Sequence, residues 1–161
     1  MKFKIILFFI SLTSILLVSS FFYNKPLEIT NNSKYSKELL VYMSPTCDCC
    51  KNWTKQLSDY GFLVKSTLEN NMKSIKSKAG ITPNLVSCHT AFIGDYVIEG
   101  HVPPKDILKL LSKKPNIKGL SVPGMPAGSN VPGMEVRTEK ANFNVLAINN
   151  NGSTTIWNHY E

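Results

Sequence analysis

Cys47, Cys49 and Cys50 stand within four residues in Ser44-Pro45-Thr46-Cys47-Asp48-Cys49-Cys50, and the fourth cysteine, Cys88, lies far along the chain beside His89. Cys47 and Cys50 have the Cys-x-x-Cys spacing of a dithiol redox site, in which one thiolate attacks and its neighbour one turn later resolves. A dithiol mechanism has no role for Cys49, whereas a metal site does. Thiolate ligands select copper(I), zinc or iron–sulfur clusters, and of these only copper(I) also accepts methionine readily. The familiar iron–sulfur spacings are absent. Neighbouring residues on a helix point about 100° apart. Cys49 and Cys50 are therefore expected to serve two or more metal ions bridged by shared thiolates more readily than one ion. A single zinc held by Cys47, Cys49 or Cys50, Cys88 and His89 also satisfies the ligand count.

The elements that must position these groups are legible from periodicity. Leu39-Leu40-Val41-Tyr42-Met43 is an apolar run that reads as a buried strand. Trp53, Leu57 and Tyr60 recur at helical spacing until Gly61 ends the pattern, so a helix is expected over 48–60 with the cysteines on its loop and first turn. Free N–H groups and the positive end of the helix dipole favour thiolate there, and the Asp48 carboxylate opposes it. Phe62 to Leu68 reads as a second strand, and a short helix with Met72, Ile75 and Ala79 on one face closes at Gly80. This β-α-β-α run favours parallel pairing of the two strands. Beyond the Ile81-Thr82-Pro83 breaker, strands at 90–93 and 96–99 flank a tight Gly94-Asp95 turn. Pro103 and Pro104 then open a helix whose buried stripe is Ile107, Leu108 and Leu111.

From Lys114 to Arg137 the texture turns to proline, glycine and methionine. Val122-Pro123-Gly124-Met125 recurs as Val131-Pro132-Gly133-Met134. A segment this long with no expected element of its own reads as a functional loop. A hairpin, Phe143 to Ile148 and Thr154 to Trp157, ends the chain. The element order is that of an α/β, thioredoxin-like domain: a central mixed sheet flanked by helices, with an added loop and C-terminal hairpin.

That order brings the Cys88-His89 connection beside the clustered cysteines, making Cys88 the fourth sulfur. His89 reads equally as a ligand or a hydrogen-bond partner. Met125 and Met134 read either as core packing at two turns or as thioethers that cover or feed a copper site. Met43 reads as core, His101 as a weaker candidate and His159 as surface.

At 161 residues and 43% hydrophobic content the chain suits one modest domain with a packed core, and four cysteines, three together and one far away, are a site and not a disulfide scaffold. Lys2, Lys4 and the apolar run from Ile5 to Val18 form an export signal over residues 1–20. Phe21, Phe22 and Tyr23 lengthen the apolar stretch, so an uncleaved inner-membrane anchor is the alternative. Residues 21–38 are expected to be a flexible lead-in and residues 39–161 the metal-binding domain. The formal charge of +7 comes from lysines spread over helix faces, and Arg137 is the sole arginine, which argues against a nucleic-acid partner. Three matches to the glycosylation pattern, at Asn31, Asn52 and Asn151, are too short to carry weight.

Several separate motifs resemble the CopG-type family of exported bacterial proteins linked to copper resistance. They are Ser44 to Cys50 with Trp53, Ser87-Cys88-His89-Thr90-Ala91, Tyr96 to Pro103, and Gly119 to Ser129. The resemblance implies a thioredoxin-like fold, a periplasmic location, and copper(I), in a multinuclear cluster with redox activity, held by the clustered cysteines and Cys88. Asp48 stands where glycine is common in that family, and the loop before Met134 is slightly longer. The expected function is thus periplasmic copper(I) binding for resistance or homeostasis, with a copper donor or acceptor protein as partner. Thiol–disulfide exchange through Cys47 and Cys50 and a zinc-stabilised interaction module are the alternatives.

Overall fold

The computed structural model describes residues 37–161. The export signal or anchor and most of the lead-in lie outside the described residues. Among the described residues no helix is long and apolar enough to cross a membrane.

Strand β1 (Glu38–Met43) leads through the cysteine turn into helix α1 (Asp48–Asp59), followed by β2 (Leu63–Leu68) and α2 (Met72–Lys78). A short 3-10 turn at Pro83–Leu85 precedes β3 (His89–Ile93) and β4 (Tyr96–Glu99). Helix α3 (Pro104–Lys113), β5 (Gly119–Ser121), β6 (Phe143–Ile148) and β7 (Thr154–Tyr160) complete the chain. The seven strands form one mixed sheet in the order β2-β1-β3-β4-β5-β6-β7. β1 and β2 run parallel, joined through α1 as expected of a β-α-β unit. The expected α/β architecture is present, including the C-terminal hairpin, whose second strand runs on to Tyr160.

Alternation along the strands assigns the two faces. Leu39, Val41, Met43, Ala91, Ile93 and Ile98 point to the side where Trp53 and Leu57 of α1 and Ile107 and Leu110 of α3 bury their apolar stripes. Phe92 and Val97 point to the opposite side, against Ile81 and Leu85. The expected apolar face of α2 is only partly realised. Met72, Ile75 and Ala79 are half-buried, and the buried position is Lys76. Within 114–137, read from sequence as a loop without an element of its own, Gly119–Ser121 pairs in parallel with β4. The reason is packing space: Gly119 has no side chain, and a Cβ there would collide with the Val97 backbone.

Candidate metal centre

Two chain segments build the site. The first is the turn into α1, where the Cys47 N–H donates to the Ser44 carbonyl at 3.1 Å and Cys47 caps the helix. Cys47 and Cys50 are joined in a disulfide, with Cα atoms 5.3 Å apart. Cys49 is a free thiol whose Sγ lies 3.5 Å from that of Cys47. Cys50 is fully buried, while Cys47 and Cys49 are half-buried. Asp48 faces solvent and pairs with Lys51 at 2.8 Å, which holds its carboxyl below the usual range.

The second segment is the connection into β3. Ser87 N–H donates to Glu99 Oε1 at 2.7 Å and Thr90 Oγ1 donates to Glu99 Oε2 at 2.7 Å, so one carboxylate grips the backbone before Cys88 and the side chain after His89. Lys76 Nζ donates to Glu99 Oε1 at 2.6 Å and to Thr90 Oγ1 at 3.1 Å, and neither charged side chain is more than 9% exposed. Burial pushes the Glu99 carboxyl up, and Lys76 and the other donors oppose the shift. A buried charge is tolerated in such a place only when paired and hydrogen-bonded.

The sulfurs of Cys47, Cys49, Cys50 and Cys88 lie within 4.8 Å of one another. From the first turn of α1 the sulfurs of Cys49 and Cys50 thus reach the same small volume, Cys49 as a free thiol and Cys50 within the disulfide. A second set, Cys50, Cys88, His89 and His101, also has its ligand atoms within 4.8 Å of one another. His101 Nε2 is 2.9 Å and His89 Nδ1 3.2 Å from Cys88 Sγ. His101 Nδ1 is 2.6 Å from the Pro132 carbonyl. A carbonyl only accepts, so Nδ1 carries the proton and the Nε2 lone pair faces Cys88. His89 is fully buried against Trp53, ring centroids 4.1 Å apart, and its Nε2 has no hydrogen-bond partner.

Burial, and secondarily the nearby Cys49, pushes the Cys88 thiol up to about 12. Burial, and secondarily His101, holds His89 well below the ordinary imidazole value, and burial lowers His101 as well. The resting set is thus a neutral thiol among neutral imidazoles. Such a set exchanges a proton for a metal on binding. Soft sulfur with imidazole suits copper or zinc, and Nδ1 is the His89 ring nitrogen that faces Cys88 Sγ, while the unpartnered Nε2 is directed elsewhere.

The two copies of Val-Pro-Gly-Met cover different halves of this site. In the first, the Gly124 N–H donates to the Val86 carbonyl at 2.9 Å, the Ser87 hydroxyl donates to the Gly124 carbonyl, and Ser87 and Gly124 form a parallel bridge. In the second, Gly133 has φ of 76° and lies against the Cys49 carbonyl and the backbone of Trp53, where a Cβ would come within 2.6–2.7 Å. Pro132 of that copy is the partner of His101. The methionines differ accordingly: Met125 is 62% exposed, whereas Met134 is half-buried against the core. Met43 is core and His159 is exposed, as expected.

Sequence reading underrated His101 and missed Lys76 and Glu99. A signal for His101 was present. The β3–β4 pairing matches Thr90 with Glu99 and Ala91 with Ile98. Carrying that register two positions past the Thr90–Glu99 pair sets residue 101 opposite residue 88.

Fold and site together define a mixed α/β domain whose first helix opens on a thiol cluster, completed by a distant cysteine and two imidazoles. The chain is similar to a solved structure of the copper resistance protein CopG, form 2, at 36% identity and a TM-score of 0.73, covering 77% of this chain and 98% of that one. Form 1 of that protein matches at 36% identity and a TM-score of 0.72, covering 76% and 96%. A family model described as a protein of unknown function, DUF411, matches residues 85–134, the stretch that carries Cys88, both imidazoles and both loop copies. No match was found among curated proteins. The chain belongs to the CopG family of copper resistance proteins.

Proposed function

We propose that this protein is an exported copper(I)-binding protein that serves copper resistance in the periplasm. The observation that carries the reading is the approach of four sulfurs, Cys47, Cys49, Cys50 and Cys88, to within 4.8 Å of one another. A dithiol exchange site needs two of these, and the other two are free thiols gathered against the pair. A compact set of thiolates suits several cuprous ions bridged by shared sulfur, and copper is the cargo and not a resident cofactor. His89 and His101 supply harder donors at the inner edge of the same set. In this reading the thioether of exposed Met125 receives copper(I) from a donor protein, and Met134 closes the cover over the site. The first twenty residues direct export, with an inner-membrane anchor as the alternative, and the domain is thioredoxin-like.

One observation favours a second reading. The Cys47–Cys50 disulfide is the oxidised form of a Cys-x-x-Cys pair, which supports thiol–disulfide exchange or a change of copper oxidation state at the site.

Cys49→Ala separates the readings. In the copper reading the fully reduced variant, loaded anaerobically, carries less copper than the natural protein by elemental analysis. In the thiol-exchange reading it keeps its full copper content and still reduces a peptide disulfide. Retention of zinc together with failure to hold copper against a strong copper(I) chelator would favour a structural zinc site instead.

A further inference from the structure

Strand alternation and the position of Cys88 disagree. Along β3, His89, Ala91 and Ile93 face α1, whereas Thr90 and Phe92 face the other side of the sheet. Strict alternation would send Cys88 to the Thr90 side, away from the turn that opens α1. The backbone instead bends at Cys88, and its sulfur lies within 4.8 Å of those of Cys47, Cys49 and Cys50. We propose that Glu99, braced by Lys76 of α2, is a positioning residue for Cys88: its carboxylate fixes the bend that turns the fourth sulfur toward the cysteine turn. The proposal deepens the copper(I) reading above and rests on it for the purpose of that placement, while the placement itself is tested without metal.

The contacts of Glu99 carry the argument. Its Oε1 accepts the Ser87 N–H at 2.7 Å, one residue before the bend, and its Oε2 accepts the Thr90 hydroxyl at 2.7 Å, two residues after it. A single side chain thus spans the bend. The Glu99 carbonyl also accepts the Val122 N–H at 2.9 Å, at the start of the loop copy whose Gly124 bridges to Ser87. Lys76 Nζ, 2.6 Å from Oε1 and 3.1 Å from Thr90 Oγ1, holds the carboxylate in place from α2. Energetics point the same way. Apolar side chains of similar volume are often as stabilising as a buried ion pair, or more so. Stability alone therefore does not account for a lysine and a glutamate whose side chains are 9% and 0% exposed. What the pair supplies, and apolar side chains lack, is a directional acceptor that fixes one backbone geometry at Ser87. Cys47, Cys49 and Cys50 need no such brace, because one helix start sets all three.

Two double variants separate positioning from packing. Lys76→Met/Glu99→Leu removes both charges and the acceptor, whereas Lys76→Met/Glu99→Gln makes the same change of charge and keeps an acceptor for Ser87. The measurement is iodoacetamide labelling of Cys88 in metal-free protein whose Cys47–Cys50 bond has been verified by peptide mapping. The rate should rise about tenfold in the leucine variant and stay within about threefold of the natural rate in the glutamine variant. Should circular dichroism show the leucine variant unfolded, Glu99→Asp takes its place. It keeps the charge, shortens the reach by one methylene and should raise the rate by about threefold. A Cys88 rate that does not rise in the folded leucine variant, or in Glu99→Asp where that one replaces it, overturns the proposal. A glutamine variant labelled as fast as the leucine one overturns it as well. Copper(I) affinity of the reduced proteins, measured against a strong chelator, should fall about tenfold in the leucine variant and stay within about threefold in the glutamine variant. A raised labelling rate with unaltered copper(I) affinity would overturn the copper(I) reading of Cys88 and leave the placement standing, so the two failures are distinguishable.

Discussion

His101 and Cys88 face each other across the open end of the β3–β4 pair, with Nε2 2.9 Å from Sγ. Because burial disfavours charge on both groups, the contact is a thiol donating to a neutral imidazole and not a thiolate–imidazolium pair. Cys88 should then be a slow nucleophile. In the oxidised protein, iodoacetamide followed by peptide mapping should label Cys49 well ahead of Cys88 up to about pH 9, as expected where so little Cys88 is thiolate. Faster labelling of Cys88 would mean that the pair is charged.

Gly124 and Gly133 occupy equivalent positions in the two loop copies and both have positive φ, but their surroundings differ. Gly133 lies on the backbone of Cys49 and Trp53, whereas a Cβ on Gly124 would meet nothing within 4 Å. Gly124→Ala should cost only the backbone penalty, about 1 kcal/mol. Gly133→Ala adds a steric conflict with rigid helix backbone and should cost about 2–4 kcal/mol in all. Denaturant unfolding of the two variants checks the difference, and equal values would show that the second copy does not bear on α1.

The Lys76–Glu99 pair is buried, so removing one partner is far worse than neutralising both. Lys76→Met leaves an unpaired carboxylate and should destabilise by about 3–5 kcal/mol at neutral pH. Lys76→Met/Glu99→Gln removes the charge while the amide still accepts from Ser87 and can meet the Thr90 hydroxyl, so at least half of the loss should return. Acidification should shrink the single variant's deficit, since the carboxyl is already raised and loses its lysine. A double variant no better than the single one by thermal melting would contradict this account.

Tyr160 donates to Asp106 Oδ2 at 2.6 Å, and Trp157 and Asn158 also donate to that buried carboxylate, so the last strand is tied to α3. Burial and the Asp106 carboxylate both raise the phenol. A group raised on folding contributes stability that is complete below its unfolded value, about pH 10, and is lost as pH rises towards the folded value. Tyr160→Phe should therefore be less stable than the natural protein by about 1–2 kcal/mol at neutral pH. The gap should narrow above about pH 10. Thermal melts of both proteins from neutral to strongly alkaline pH measure it, and a constant gap would show that the phenol does not titrate with unfolding.

What could be read from the sequence divides along a physical line. Periodicity located β1, α1, α3 and the last hairpin, because Leu39, Val41 and Met43 alternate into the core while Trp53 and Leu57 recur at helical spacing. β5 escaped because three residues beginning with glycine have no period, and its place is set by contact with Val97. The cysteine cluster and its meeting with Cys88 were legible from spacing and topology. Lys76 and Glu99 were not, since a lysine amid other lysines carries no local mark of being the one that turns inward. Its burial depends on an acid 23 residues away.

The stretch of main chain next to Cys88 is where an extended polypeptide could lie down and align a disulfide with the thiols, as strands commonly do along a free backbone edge. That seat is taken from within, by the protein's own proline-glycine turn. A peptide strand cannot pair with the main chain at Ser87 unless that turn first moves away.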